Sequence, residues 1–235
     1  QHGIEHWGCP MNGAFRHEPM PVFGERLANI RSWWDRCRRT DAGGMLVTSW
    51  EPQRLAFELT TLVDAAAAGL WLHSGPISAA RLLSGGFNRA FGTKNSGQLA
   101  RLALAADAHA FAGYARWELN ERWDAGATRE DSERPARDLR FFDRFARRAL
   151  VLPAPFAASV GFCRYLAGRE VFVRRAAQGV FQLRRDLARG PAATPAFLRH
   201  RQKFLKEAHE FGASIRDGRV AARVMWTRTR RRAEL

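Results

Sequence analysis

The sequence predicts two regions of different class: an α/β segment at the start of the chain, followed by an all-helical region. Two observations carry this prediction. Between residues 8 and 72, apolar stripes at helical spacing flank a short apolar run that is typical of a buried parallel strand. Beyond residue 97, apolar residues recur only at the three- and four-residue spacing of helices.

The first predicted helix runs from Phe23 to Cys37. One apolar stripe supports it, formed by Leu27, Ile30, Trp33 or Trp34, and Cys37. Upstream, Cys9 to Phe15 is interpreted as the end of an earlier strand and its loop.

The predicted strand runs from Met45 to Thr48, directly after the helix-breaking pair Gly43-Gly44. A second helix follows, with an apolar stripe of Leu55, Leu59, Leu62, Val63, Ala66 and Leu70. The order helix, strand, loop, helix is that of a wound α/β fold. One strand and two helices do not close a parallel sheet, and a whole (β/α)8 barrel takes about 250 residues. Residues 1–75 are therefore predicted to be the last β/α units of such a barrel.

After Trp71 the pattern changes. Three segments have loop composition: 73–76, 84–86 and 92–97. We interpret 76–97 as a linker and 98–235 as an Arg-rich helical domain. Its apolar stripes include Leu99, Leu102, Ala106, Leu139, Phe142, Phe145, Val160, Cys163, Leu166, Phe204 and Phe211.

The chain carries a formal net charge of +15, and only three of its 38 basic residues are lysines: Lys94, Lys203 and Lys206. An Arg-rich, Ala-rich composition can reflect coding bias, although a field of this sign also attracts nucleic acid or anionic lipid. The paired arginines of the helical region would suit phosphate contacts, but no helix-turn-helix or zinc-finger frame accompanies them. Nucleic acid is therefore the less favoured partner.

The three cysteines, Cys9, Cys37 and Cys163, form no CxxC pair, which favours reduced thiols and a cytoplasmic setting. No apolar run approaches the ~20 residues of a membrane span. The spacing of His2, His6 and Cys9 lacks the second pair of a zinc-finger site, so we predict neither a metal nor a cofactor. Gln1 opens the chain in place of a methionine, and an upstream segment is expected.

Residues 43–54 have the sequence GGMLVTSWEPQR, an apolar strand followed by an aromatic ring, a carboxylate and a guanidinium. Side chains just past the carboxyl end of a parallel strand occupy the position where such folds bind ligands. The alternative for Glu51, Arg54 and Glu58 is a plain ion pair among themselves. The alternative for Trp50 is a core aromatic.

Together with residues 8–15 (GCPMNGAF) and Phe57-Glu58-Leu59, this segment resembles glycoside hydrolase family 20, and within it the hexosaminidase D-like branch. In that branch a helix and an apolar eighth strand ending in Thr-Gly-Trp precede an Arg-containing loop and a Cys-Glu-Leu helix start. The resemblance covers residues 8 to about 72. This sequence departs from the branch at Ser49 (usually Gly), at Glu51-Pro52, and at Asn12, where Lys is common.

The resemblance implies a (β/α)8 barrel that hydrolyses terminal N-acetyl-β-hexosaminides, with the substrate's 2-acetamido oxygen as nucleophile. The family's catalytic Asp-Glu pair lies after the fourth strand, so it is expected upstream of Gln1, and we predict no catalytic residue here. Four residues of the sugar-binding wall are predicted: Trp50, Glu51, Arg54 and Glu58. The chain alone is expected to be inactive. The helical region is interpreted as a packing or homodimer module.

Overall fold

The computed structural model describes residues 4–13, 19–49, 57–73, 75–109, 133–147, 151–210 and 212. The chain divides into two compact units. Among the described residues, the first unit contains 4–109 and 151–159, and the second contains 133–147 together with 160–212.

The predicted (β/α)8, or TIM, barrel is wrong. Most of the described residues are helical, and the strands among them make a single two-stranded sheet. The physical reason is that the apolar runs after residue 57 have helical periodicity and fold as helices. Among the described residues, only the run near residue 45 and the segment near residue 8 form strands.

The two strands are paired in parallel, and one helix connects them along the chain. Strand β1 is Trp7–Gly8, helix α1 is Phe23–Arg39, and strand β2 is Gly44–Met45. A parallel bridge between Met11 and Thr48 continues the pairing beyond the strands. The first helix prediction is therefore confirmed and extends two residues further, while regular strand geometry covers only the start of the predicted strand.

The second predicted helix is present as α2, Phe57–Ala67, followed by the short α3, Gly69–Leu72. Next come α4, Ala79–Phe91, and α5, Ser96–Ala106. Loop composition at residues 84–86 was a wrong indication, because these residues lie in the middle of α4.

The close packing of α4 against α2 explains why Gly86 lies in the middle of a helix. A Cβ atom at this position would lie 2.8 Å from the Cβ of Ala66 and 2.9 Å from both the Ala66 nitrogen and the Leu62 carbonyl oxygen, all on α2. The glycine therefore allows the backbones of α2 and α4 to approach closely, at the cost of about 0.5–1 kcal/mol of helix propensity relative to alanine.

Aromatic rings fill the core of the first unit. Phe156, near the start of helix α7 (Ala154–Ala188), meets Phe87 edge-on at a ring-centroid distance of 5.3 Å and Phe23 at 6.3 Å. All three rings are fully buried. Edge-to-face packing of this kind adds about 0.5–1.5 kcal/mol per pair to the burial itself.

Asp107 begins a 3-10 turn (Asp107–His109) that follows α5, and its carboxylate caps the amino end of α1. The two oxygens accept hydrogen bonds from the backbone N–H groups of Phe23 at 2.8 Å and Gly24 at 2.7 Å. These N–H groups have no acceptor within their own helix, so the long-range contact satisfies them and fixes where α1 begins.

In the described residues, the second unit contains α6 (Arg134–Ala146), the part of α7 from residue 160 onward, and a further helix, α8, over residues 194–210. Phe142 and Phe145 of α6 are buried. Arg164 of α7 donates a 2.5 Å hydrogen bond to the Asp143 carboxylate of α6.

We predict that Gly86→Ala destabilises the protein by about 1–3 kcal/mol, because the new methyl group meets backbone atoms of α2 that cannot rotate away. Gly97→Ala is the matched control. Its Cβ would have Ser84 Oγ at 3.9 Å as nearest neighbour, so the gain in helix propensity should leave stability equal or higher. Urea unfolding measures both. Equal stability of the two variants would contradict the close contact.

A second prediction concerns pH. Burial raises the pKa of Asp107 from 3.8 to about 6, against the opposing effect of its two backbone hydrogen bonds. Its contribution to stability is thus fully present below pH 3.8 and lost as the pH rises through 6. Asp107→Asn keeps one acceptor oxygen but does not titrate. The free energy of unfolding of the wild type should therefore fall relative to the variant between pH 4 and pH 7. A difference that stays constant with pH would refute this assignment.

Candidate functional site

The carboxyl ends of the two parallel strands bring Asn12 and Ser49 to one edge of the sheet. The pairing reaches this point because the Thr48 N–H donates to the Pro10 carbonyl at 2.7 Å and the Asn12 N–H donates to the Thr48 carbonyl at 3.0 Å. This is the edge at which parallel sheets bind ligands.

Two buried oxygens at this edge have no hydrogen-bond partner among the described residues: Asn12 Oδ1 and Ser49 Oγ. Asn12 as a whole is buried, and its Nδ2 donates to Asp64 Oδ1 at 2.5 Å. An unsatisfied buried polar group costs about 1–3 kcal/mol. Each of these two oxygens can therefore accept a hydrogen bond from a ligand's hydroxyl or amide group.

Gly13 follows Asn12 in the chain and lies close to Ser49 at this edge. A Cβ on Gly13 would lie 3.0 Å from Ser49 Oγ, so a larger residue would close the space around that oxygen. The Gly13 carbonyl accepts a 2.7 Å hydrogen bond from Nε of the buried Arg26, whose guanidinium also pairs with Glu25 at 2.7 Å. This charged anchor holds the backbone of the edge in place.

Asp64, on α2, is the titratable group of the site. Withdrawal of its carboxyl group from water raises its pKa, and the hydrogen bond from Asn12 partly offsets that rise. The carboxyl group can thus exchange a proton closer to neutral pH than an ordinary aspartate does.

A groove of about 410 Å³ lies beside Asp64. It is lined by Val47, Asp64, Ala67, Ala68, Trp71 and Leu72. A second groove of about 470 Å³ contains Arg38 and Asp41, and Trp71 lines both. The Trp71 ring packs against Trp34 at a centroid distance of 4.5 Å, which fixes the orientation of this shared wall.

The predicted sugar-wall residues Trp50, Glu51 and Arg54 lie outside the described residues. Glu58 falls in the first turn of α2, and its side chain is likewise outside the description. Their roles stay predictions.

Sequence reasoning missed the part that Asn12, Ser49 and Asp64 play together. Asn12 and Ser49 were noted only as departures from the resembling family. Asp64 carried one usable signal, since it is the lone charged residue in the otherwise apolar and small run from Leu62 to Leu70.

In the part of the chain that the structure describes, no three His, Cys, Asp or Glu side chains come together as a metal site. All three cysteines are free thiols, with Cys37 and Cys163 buried and Cys9 exposed. None of the described helices combines the length and the apolar character needed to traverse a bilayer.

Neither a scan against protein-family models nor searches of curated proteins and of solved structures found a match for this chain. The resemblance to glycoside hydrolase family 20 therefore stays a prediction that depends on the quoted motifs.

We predict that Asn12→Ala raises the pKa of Asp64 further, because it removes the hydrogen bond that lowers that pKa. Carbon-13 NMR titration of labelled aspartate carboxyl groups measures the change. Asn29→Ala is the control: the Asn29 amide oxygen accepts from the Met11 N–H at 3.4 Å, close to the site but without contact to Asp64. An unchanged or lower pKa in Asn12→Ala would contradict the assigned contact.

Proposed function

We propose that the carboxyl edge of β1 and β2 forms one wall of a pocket for a terminal N-acetylhexosaminide, as part of a glycosidase that uses the substrate-assisted retaining mechanism. The role assigned to this chain is to bind and orient the sugar. No catalytic carboxylate is assigned to its residues. The proposal requires the local unit of β1, α1 and β2, and it does not require a (β/α)8 barrel.

The observation that carries the proposal is the pair of unsatisfied buried oxygens, Asn12 Oδ1 and Ser49 Oγ, at the ends of paired parallel strands. Sugar hydroxyl groups and the acetamido N–H are donors of the kind that these two acceptors lack. Ser49 directly precedes Trp50, so an indole ring follows the acceptor edge in the chain.

The expected chemistry follows from these residue types. Trp50 supplies an apolar ring for the C–H face of the sugar, and Glu51 accepts hydrogen bonds from its hydroxyl groups. In the retaining mechanism implied by the resemblance, the acetamido oxygen attacks the anomeric carbon, so the sugar must be held with that group correctly placed. A wall that contacts the ring from one side serves this purpose.

The alternative is a basic helical module that binds nucleic acid. It is supported by the exposed arginines of α7 and α8, including Arg175, Arg184, Arg185, Arg199 and Arg201. Phosphate contacts would use these cations but would leave the exposed leucines between them without a partner.

We predict that Trp50→Ala weakens the binding of N-acetylglucosamine to this chain by about 1–3 kcal/mol, because an apolar ring contact is lost. NMR titration of the labelled chain provides the affinity and shows whether the Asn12 and Ser49 signals shift. Trp7→Ala is the control, because Trp7 is an exposed indole at the opposite, amino end of the same strands. Equal loss in both variants, or no shift at Asn12 and Ser49, would reject the pocket.

The chain alone is expected not to hydrolyse a chromogenic N-acetylglucosaminide. Measurable turnover that Asp64→Asn abolishes would instead assign catalysis to the residues of this edge.

A further inference from the structure

Helices α7 and α8 of the second unit form an antiparallel hairpin. Near its tip, His200 Nδ1 lies 2.6 Å from Asp186 Oδ2. Further along, the Phe204 ring packs over Gly179, where an added Cβ would lie 3.0 Å from the ring. The earlier of these two α7 residues contacts the later of the two α8 residues, so the helices are antiparallel. The two contacts also set the register between them.

Among the described side chains of this hairpin, four large aliphatic ones are exposed. Their exposed fractions are 41% for Val180, 65% for Leu187, 54% for Leu198 and 50% for Leu205. Within each helix the two residues are seven apart, which places them on one face about two turns from each other. The register places Leu187 across from Leu198 and Val180 across from Leu205.

All four residues lie on the same side of the hairpin. The contact line of each helix is taken from Asp186 and Gly179 on α7 and from His200 and Phe204 on α8. At 100° per residue, each of the four residues lies roughly 90° to 140° around its helix from that line, in the same rotational sense when viewed along its own helix. Because the helices run antiparallel, equal rotations point to the same side. We call these four residues the hairpin apolar patch.

Two exposed arginines lie next to the hairpin apolar patch, one on each helix. Arg184 lies between Val180 and Leu187 along α7, and Arg201 lies between Leu198 and Leu205 along α8, both exposed. Residues 160–210 contain eleven Arg and Lys residues but four acidic ones. The acidic residue nearest the tip, Asp186, is buried and paired with His200, so its charge is not presented to solvent.

We propose that this face of the hairpin binds the surface of an anionic lipid bilayer. The aliphatic side chains enter the boundary between headgroups and acyl chains, while the arginines pair with lipid phosphate groups. The combination of an apolar patch and a cationic rim requires a partner that offers an apolar phase bordered by negative charge.

Other partners fit less well. A second copy of the hairpin would bring Arg184 and Arg201 against like charges. Four aliphatic residues are also few beside the roughly 20–30 residues per side of a stable protein interface. Duplex nucleic acid offers phosphates but no apolar phase for the leucines. The inference is independent of the proposed sugar pocket, which is built from other residues.

Co-sedimentation of the full chain with vesicles tests the inference. We expect binding to vesicles of phosphatidylglycerol and phosphatidylcholine, and little binding to phosphatidylcholine alone. Leu187→Gln/Leu198→Gln should weaken binding to the anionic vesicles by about tenfold or more, since it removes half of the patch. Phe181→Gln is the matched control: Phe181 is 64% exposed on the same helix but points away from the patch, so its affinity should change less than about twofold.

A charge variant, Arg184→Gln/Arg201→Gln, should also weaken anionic-vesicle binding and reduce its dependence on salt. Circular dichroism checks that each variant keeps its helices. Three results would overturn the inference. The first is that the double-leucine variant binds anionic vesicles as tightly as the wild type. The second is that the chain binds duplex DNA more tightly than vesicles, with the same affinity in the double-leucine variant, and the third is a dimer in solution that this variant abolishes.

Discussion

The parallel pairing of β1 and β2 is the constraint on which the candidate site depends. Because the pairing continues from Trp7 and Gly44 to Met11 and Thr48, the carboxyl ends of the two strands reach the same edge together. Helix α1 must then cross back between them, and the Asp107 carboxylate fixes where that crossing begins. A shift of the register would separate Asn12 from Thr48, and the candidate site at this edge would be lost.

A second contact, between Asn12 and Asp64, links the sheet to the helices of the first unit. Asp64 reaches Asn12 only because α2 lies close to the sheet, and α2 is held in turn by its backbone contact with Gly86 of α4. The position of the acidic group at the site is thus set by a glycine on a different helix. The close packing of protein interiors makes such coupling over a distance ordinary.

Local patterns predicted local structure well and tertiary structure poorly. Helix α1 and the position of α2 followed from apolar stripes, because a helix that packs on one side must repeat every three to four residues. The glycines at 85 and 86 were misleading, because loop composition and close helix packing select the same residue. The barrel prediction failed because it extended one strand–helix–strand unit to a complete sheet. The unsatisfied oxygens of Asn12 and Ser49 could not be predicted, since burial and missing partners arise only when distant segments meet.

The most direct test of the account is a crystal structure of the chain grown with a saturating concentration of N-acetylglucosamine. We predict that the sugar lies at the carboxyl edge of β1 and β2, with donor groups about 2.6–3.2 Å from Asn12 Oδ1 and Ser49 Oγ. A sugar bound elsewhere, or a saturated crystal in which protein groups cover both oxygens, would contradict it.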